Sequence, residues 1–579
     1  MPCEMVRRVA SLALLLLLTA PGWVSARTAE DEPRAAALDP ALRARAALPR
    51  GLSRVIIETT DGAPATAAIK AVAGRAGRYL RSVGQVAIIP DSALEQLASC
   101  AEVKTVSLDR RVQGTLERTG ATVGASWVRD KLGFDGTGVG VAIIDSGVTN
   151  WHDDLGDERV AHFADFVTFL PYPHDDYGHG THVAGIIAGN GYDSGGARRG
   201  IAPGANLIVL KVLDGAGDGY ISNVIAAIDY AIEHRARYNI RVLNLSVAAG
   251  VYESFTTDPF TLAARRAVDA GILVVTSAGN LGRSESGQAQ HGGITAPGNA
   301  PWVLTIGASN HQRTAIRADD VVAPFSSRGP TNIDRAMKPD VVAPGVAIES
   351  LAAAGSTIYN GNPGAWLAGT VDTATPPYLS MTGTSMAAPV AAGTIALMLQ
   401  ANPALTPNLV KGILEYTAEH RSRFGLAAQG AGFLNTRGAV LLALSLRAGD
   451  QPSVKDSDTT PWSRHILWGH DRVRGGVLTA NASAWRADVV WGAPSTPEGD
   501  EIFWGTNTDG TSAWGPSDAD PIEFDAEMSL VAWNPLTETE SGALGDGTST
   551  FLPWRAIAAV LPSDRRARQR SVVAETEGY

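Results

Sequence analysis

Ser385 lies in Gly383-Thr384-Ser385-Met386-Ala387-Ala388-Pro389, ahead of a run of small apolar residues. A helix tolerates proline in its first turn, so this helix is expected to begin at Ser385. A serine there has its own N–H free, and the helix dipole favours a nearby oxyanion. Alone, the same pattern also describes a plain N-cap serine. His179 lies in Gly178-His179-Gly180-Thr181-His182-Val183-Ala184-Gly185, where glycines let other chains approach the ring. His182 follows three residues on, but no flanking glutamate makes a zincin motif, so His182 reads as structural. Asp145 ends the apolar run Val141-Ala142-Ile143-Ile144, at the carboxyl end of a buried strand, where open α/β sheets hold their ligands. A carboxylate there needs a partner, and an imidazole N–H would satisfy it. Asn280, in Ser277-Ala278-Gly279-Asn280, supplies a side-chain amide for a developing oxyanion. A nucleophile, a base, an orienting acid and an oxyanion donor are the parts of acyl transfer.

These side chains need a scaffold. From about 120 to 440, Val139 to Ile144, Leu207 to Leu213, Val242 to Leu245, Ile272 to Thr276 and Val303 to Ile306 are runs of β-formers suited to strands buried on both faces. Ile221 to Tyr238 and Thr261 to Ala270 are amphipathic helices between them. The fold class is α/β, a doubly wound and mostly parallel sheet. Before it, residues 53 to about 108 read as a small α+β unit in βαββαβ order, a ferredoxin-like pattern. Its elements are strand Arg54 to Thr59, helix Ala65 to Arg78, strands Tyr79 to Val83 and Val86 to Ile89 around Gly84, a helix capped by Ser92 and Glu95, and strand Val103 to Ser107.

Asp145-Ser146-Gly147, His179 to Gly185, Ser277 to Asn280 and Gly383 to Pro389 closely resemble the subtilase signatures, in the subtilase order Asp, His, Ser. The resemblance spans roughly 120 to 440. It implies a secreted serine endopeptidase of the peptidase S8 family, with Asp145 orienting, His179 as general acid and base, Ser385 as nucleophile, and Asn280 with the Ser385 N–H as oxyanion hole. An esterase elbow would need Gly-x-Ser-x-Gly, and position 387 is alanine. Gly217-Asp218-Gly219 matches the edge strand that pairs with substrate backbone. Ser246-Val247-Ala248-Ala249 replaces the family's Ser-Leu-Gly-Gly pocket wall, and Thr295 falls where many subtilisins have a glycine at the pocket base. The added methyl groups should shrink that pocket. Asp154 matches a calcium ligand of the family, with Asp193 as the one acid of the companion loop Gly189 to Arg199. A structural calcium is thus an expectation, while the chemistry requires no cofactor. By position, the smaller unit resembles the family's inhibitor prodomain.

The chain has 579 residues and a formal charge of −11, which argues against nucleic acid as a partner. Arg7, Arg8, the leucine core Leu12 to Leu18 and Val24-Ser25-Ala26 form an export signal, too short to span a membrane. No membrane span is expected after its removal. The chain divides into a signal peptide (1–26), linker and propeptide (27–115), catalytic domain (116–445) and a C-terminal extension (446–579). That extension carries four Trp-Gly pieces, at Trp468, Trp491, Trp504 and Trp514, and is expected to be dispensable for peptide hydrolysis. The expected partners are protein or peptide substrates and the chain's own propeptide as inhibitor, on a secreted monomer. Cys3 would leave with the signal, and Cys100 then has no cysteine to pair with.

Overall fold

The computed structural model describes residues 37–38, 40–49, 51–80, 84–108, 115–156, 158–284, 286–448, 461–511, 513–524, 528, 530–531 and 559–560. The signal segment lies outside them. Two compact units divide at Val112 and Gln113.

In the smaller unit, strands Leu52–Thr59, Arg75–Leu80, Gly84–Pro90 and Val103–Leu108 form one sheet. The last strand borders the first, then come the third and the second, with Ala37–Leu38 added parallel at the outer edge. This is the strand order of a ferredoxin-like unit. Val55, Ile57, Ile69, Ile89, Leu94, Leu97 and Val106 fill its core. Two local expectations fail. The first helix spans only Thr66–Ala71, because Ala73 takes a positive φ of 56° and Gly74 N–H returns to Ile69 O at 2.9 Å, so Arg75 onward becomes strand. The Ser92–Glu95 cap does not form: Asp91 instead accepts from Ser53 Oγ at 2.6 Å and from Gly51 N at 3.0 Å.

The larger unit is built on an eight-stranded sheet. From one edge its strands run Val160–Asp165, Asn206–Lys211, Gly140–Asp145, Ile240–Leu245, Leu273–Ser277 and Leu304–Asn310, all parallel. At the far edge Val341–Pro344 pairs parallel and Val321–Val322 antiparallel to the last of these. Helices cover both faces, which is the expected doubly wound α/β architecture. The expected helix over 221–238 is two, Ile221–Glu233 and Arg235–Tyr238. Strand order reverses at Gly140–Asp145, so the crevice beyond Asp145 is the topological switch point. Helix Thr384–Ala401 runs through the centre of the core.

Among the described residues the Trp-rich segment does not form a core of its own. Ile466, Leu467, Trp468, Trp485, Trp491, Trp504 and Trp514 belong to the same buried cluster as the parallel sheet. The four Trp-Gly pieces converge: Trp468 lies 4.5 Å from Trp491 and 5.1 Å from Trp504, and Trp504 lies 6.3 Å from Trp514, centroid to centroid. The described residues of this segment therefore pack into the core of the larger unit.

Candidate active site

Asp145 is the last residue of its strand and is fully buried. Its carboxylate receives the His179 Nδ1–H at 2.7 and 2.9 Å and the Ser146 N–H at 2.7 Å. His179 opens helix His179–Ala188. Gly178 precedes it at φ 100°, and a Cβ there would stand 2.3 Å from Ser356 Oγ, so only glycine fits. With Nδ1 committed to Asp145, Nε2 becomes the basic nitrogen. It is buried without a protein hydrogen-bond partner.

Asp175 does work that sequence reasoning missed. Its buried carboxylate accepts from Gly178 N (2.7 Å), Thr181 N (2.8 Å), Thr181 Oγ1 (2.6 Å) and Ser146 Oγ (2.8 Å). Ser146 Oγ in turn accepts from Gly180 N at 2.9 Å. One side chain thus caps the His179 helix and ties it to the residue after Asp145. The only signal was an aspartate four residues ahead of the histidine. Lys211 was also missed. Buried beside Asp145 in the sheet register, it donates to Ser146 O, Leu213 O and Asp176 Oδ1 at 2.5–2.7 Å.

Ser385 is the second residue of helix Thr384–Ala401, not its first, and is nearly buried. Its N–H is among the first four of the helix, which have no intrahelical acceptor. Pro389 therefore sits beyond the first turn. It removes the N–H that would bond to Ser385 O, and Ser246 Oγ donates to that carbonyl instead, at 3.1 Å. Asn244 Nδ2 supports Ser246 Oγ at 2.9 Å. The Ser385 hydroxyl donates to Ser246 O at 3.3 Å, so it is not engaged with His179 here. Asn280 is anchored by its oxygen: Oδ1 accepts from Thr384 N at 3.0 Å and Thr384 Oγ1 at 2.9 Å. Fixing Oδ1 this way leaves the NH2 end as the donor beside the Ser385 turn. His182 donates to Leu379 O at 3.2 Å, and burial pushes it down to about 3, so it is a neutral core residue.

The substrate-binding expectations divide. Ala249 and Ala296 exchange backbone hydrogen bonds at 3.1 and 2.9 Å, joining the wall Ser246–Ala249 to Thr295. Val247 is buried in the core cluster, whereas Ala248 is half-buried. Thr295 is buried and its hydroxyl has no protein partner. Beside Gly217-Asp218-Gly219 the chain turns back on Asp214: Asp214 N donates to Asp218 O at 2.8 Å, and Asp218 N donates to Asp214 Oδ1 at 3.0 Å.

Asp154, the expected calcium ligand, is buried. Calcium takes six to eight oxygens. Both Asp154 oxygens already accept, from Asp193 N at 2.8 Å and Tyr378 OH at 2.9 Å. Three carbonyls of the companion loop accept N–H groups: Gly191 O from Gly196 N (2.8 Å), Tyr192 O from Gly195 N (3.1 Å) and Asp193 O from Thr370 N (2.7 Å). The third donor nearby is a histidine, His152.

The family model described as the subtilase family matches residues 136–439. Serine protease AprX of Bacillus subtilis (strain 168) is 37% identical over 359 residues, 61% of this chain and 78% of that protein. Subtilisin E of the same organism is 34% identical over 289 residues, 50% of this chain and 62% of its own. A crystal structure of a cold adapted subtilisin-like serine proteinase aligns over 52% of this chain and 88% of that one, at 28% identity and a TM-score of 0.38.

Proposed function

The chain belongs to the subtilase family and is a subtilisin-like serine endopeptidase, and we propose that Asp145, His179 and Ser385 are its triad and Asn280 its side-chain oxyanion donor. The observation that carries this is the buried His179 ring, held on one side by Asp145 and left without a protein partner on the other.

Substrate binding turns the Ser385 hydroxyl from Ser246 O toward His179 Nε2, a shift of the kind that apo sites commonly need. Ser385 Oγ then attacks the peptide carbonyl while Nε2 takes its proton. Asp145 stabilises the imidazolium and holds the tautomer. The oxyanion is met by the Ser385 N–H and the Asn280 amide. Nε2 returns the proton to the leaving amine, and a water, deprotonated by the same nitrogen, releases the acyl group. The pocket bounded by Ala248 and Thr295 suits small or medium apolar side chains.

We further read the enzyme as secreted and made as a zymogen. The ferredoxin-like unit stands between an export signal and the catalytic region, where an inhibitor would keep the protease silent until export. A large parallel sheet of long-range pairings also folds slowly, which favours a folding template. A casein gel of wild type and Ser385→Ala tests both parts. Wild type should clear casein and shorten over time by about 110 residues' worth of mass, the span up to the unit boundary. Ser385→Ala should do neither. Clearing by the variant would refute the triad, and normal processing of the variant in a host lacking other proteases would refute self-maturation.

A further inference from the structure

Lys211 is the last residue of its strand and stands beside Asp145 in the sheet register. Its side chain is fully buried, and an ammonium has three N–H groups to donate. All three are taken at the catalytic edge. Ser146 O, at 2.7 Å, belongs to the residue after Asp145. Asp176 Oδ1, at 2.5 Å, lies three residues ahead of His179. Leu213 O, at 2.7 Å, lies on the chain leading to Gly217-Asp218-Gly219, the stretch expected to pair with substrate. Thr357 ties the loop ahead of His179 to that chain a second time. It donates its N–H to Asp176 O at 2.9 Å and its hydroxyl to Gly215 O at 2.6 Å. Stability alone does not call for a buried ammonium, since an apolar side chain of similar volume often serves a fold as well. What such a side chain could not supply is three directed bonds.

We propose that Lys211 is a positioning residue for peptide hydrolysis, setting Asp145 and His179 at the distance and angle that proton transfer needs. The inference rests on the triad reading. With its N–H groups committed, Lys211 has none left for a substrate. It acts instead through the backbone after Asp145 and the loop before His179. Asp145 O also accepts the Val212 N–H at 2.8 Å, so main chain and side chain together grip the Asp145 turn. On the other side Asp176 is half-exposed, and the buried ammonium holds its carboxylate inward. Misplacing a catalytic group by about 1 Å can cost about 10²-fold in rate. Substrate binding should suffer less. The turn at Asp214 closes on itself, through Asp214 N to Asp218 O and Asp218 N to Asp214 Oδ1. Loss of Lys211 should therefore fall on kcat and spare KM.

The test compares wild type with Lys211→Met, which keeps the length and removes the donors, and with Asp176→Ala, at a half-exposed position. Active sites are counted in each preparation by sulfonyl fluoride uptake carried to completion. Rates are then per competent molecule, and a loss of folded protein does not pass for a loss of rate. On a chromogenic peptide, kcat per site should fall about 10²-fold in Lys211→Met and about tenfold in Asp176→Ala, with KM within about threefold of wild type. The double variant should be no slower than Lys211→Met, because both changes break one linkage. A kcat per site within about threefold of wild type in Lys211→Met, a rise in KM that accounts for the loss, or additive losses in the double variant would overturn the proposal. If Lys211→Met yields no active sites, Asp176→Ala decides alone: unchanged kcat per site overturns the proposal, and the tenfold loss at constant KM, estimated at about that size, upholds it. No uptake by wild type would refute the triad reading, and this proposal with it.

Discussion

The catalytic edge of the sheet and the surface under the Trp-rich segment both bury polar groups, and they treat them in opposite ways. At the catalytic edge the groups are placed and then left unmet. His179 Nε2 and Thr295 Oγ1 are enclosed without protein partners, and the Ser385 hydroxyl makes only a long bond to Ser246 O. Under the Trp-rich segment four ionisable groups are enclosed and each has at least one partner, with Glu415 Oε1 alone among their oxygens and nitrogens left without one. Lys411 Nζ donates to Pro301 O (2.6 Å) and Val303 O (3.1 Å), pairs with Asp340 at 3.1 Å and lies 4.5 Å over the Trp491 ring. Lys338 pairs with Asp340 at 2.8 Å, and Glu415 accepts the Leu467 N–H at 2.7 Å. Burial still pushes Glu415 well above the ordinary carboxylate range and Lys338 down to about 7, so these charges depend on their partners. Groups left unmet await a substrate, whereas groups met from three separate segments lock the fold.

That contrast predicts which substitutions cost rate and which cost stability. Asp145→Asn should have the largest effect. It keeps the shape but offers His179 Nδ1–H a poorer acceptor and favours the wrong tautomer, for a loss of about 10⁴-fold in kcat. Steady-state cleavage of a chromogenic peptide measures it, and a loss below tenfold would mean Asp145 does not orient the base.

Trp491→Ala should do the reverse. It opens a cavity and uncovers Lys411, at about 3–5 kcal/mol in stability. Per folded molecule, kcat should be unchanged at low temperature. Denaturant melts beside kinetics separate the two, and a variant as stable as wild type would show that the Trp cluster is not part of the core. The same packing predicts that removing the chain from 446 onward destabilises the catalytic unit, contrary to the expectation that the extension is dispensable.

Asn280→Ala should lower kcat about 10²- to 10³-fold with KM nearly constant, the magnitude seen when subtilisin loses one oxyanion donor. A rise in KM at constant kcat would place Asn280 in ground-state binding. The smallest effect concerns the pocket. Peptides differing only in the residue before the cut bond should favour Ala or Val over Phe by up to about 200-fold, since one misfitting methylene is worth about 1–3 kcal/mol. Faster cleavage after Phe would mean that Ala248 and Thr295 do not narrow the pocket.

The two regions also differed in how far the sequence disclosed them. Asp145 ends a buried strand, Asn280 follows one by three residues, and His179 and Ser385 stand at the start of helices, each inside a distinctive local motif, so their setting was readable before any contact was known. The parallel strands were readable as near-continuous runs of β-formers. The Trp-Gly pieces were visible but their purpose was not. Their strands are two to four residues long, as at His465–Trp468 and Ala513–Trp514, too short to carry a period. Their partners lie on helix Pro407–Thr417, and such long-range contacts leave no local trace. Asp175 escaped because it acts largely through backbone N–H groups.

The central claim is that Ser385, activated by His179, is the nucleophile. Treating the mature enzyme with a sulfonyl fluoride and reading the intact mass and its peptide map tests it most directly. One adduct should form, on the peptide containing Ser385, in step with loss of casein hydrolysis, and Ser385→Ala should take up none and cleave nothing. An adduct elsewhere with activity lost, or casein hydrolysis surviving in Ser385→Ala, would contradict the account.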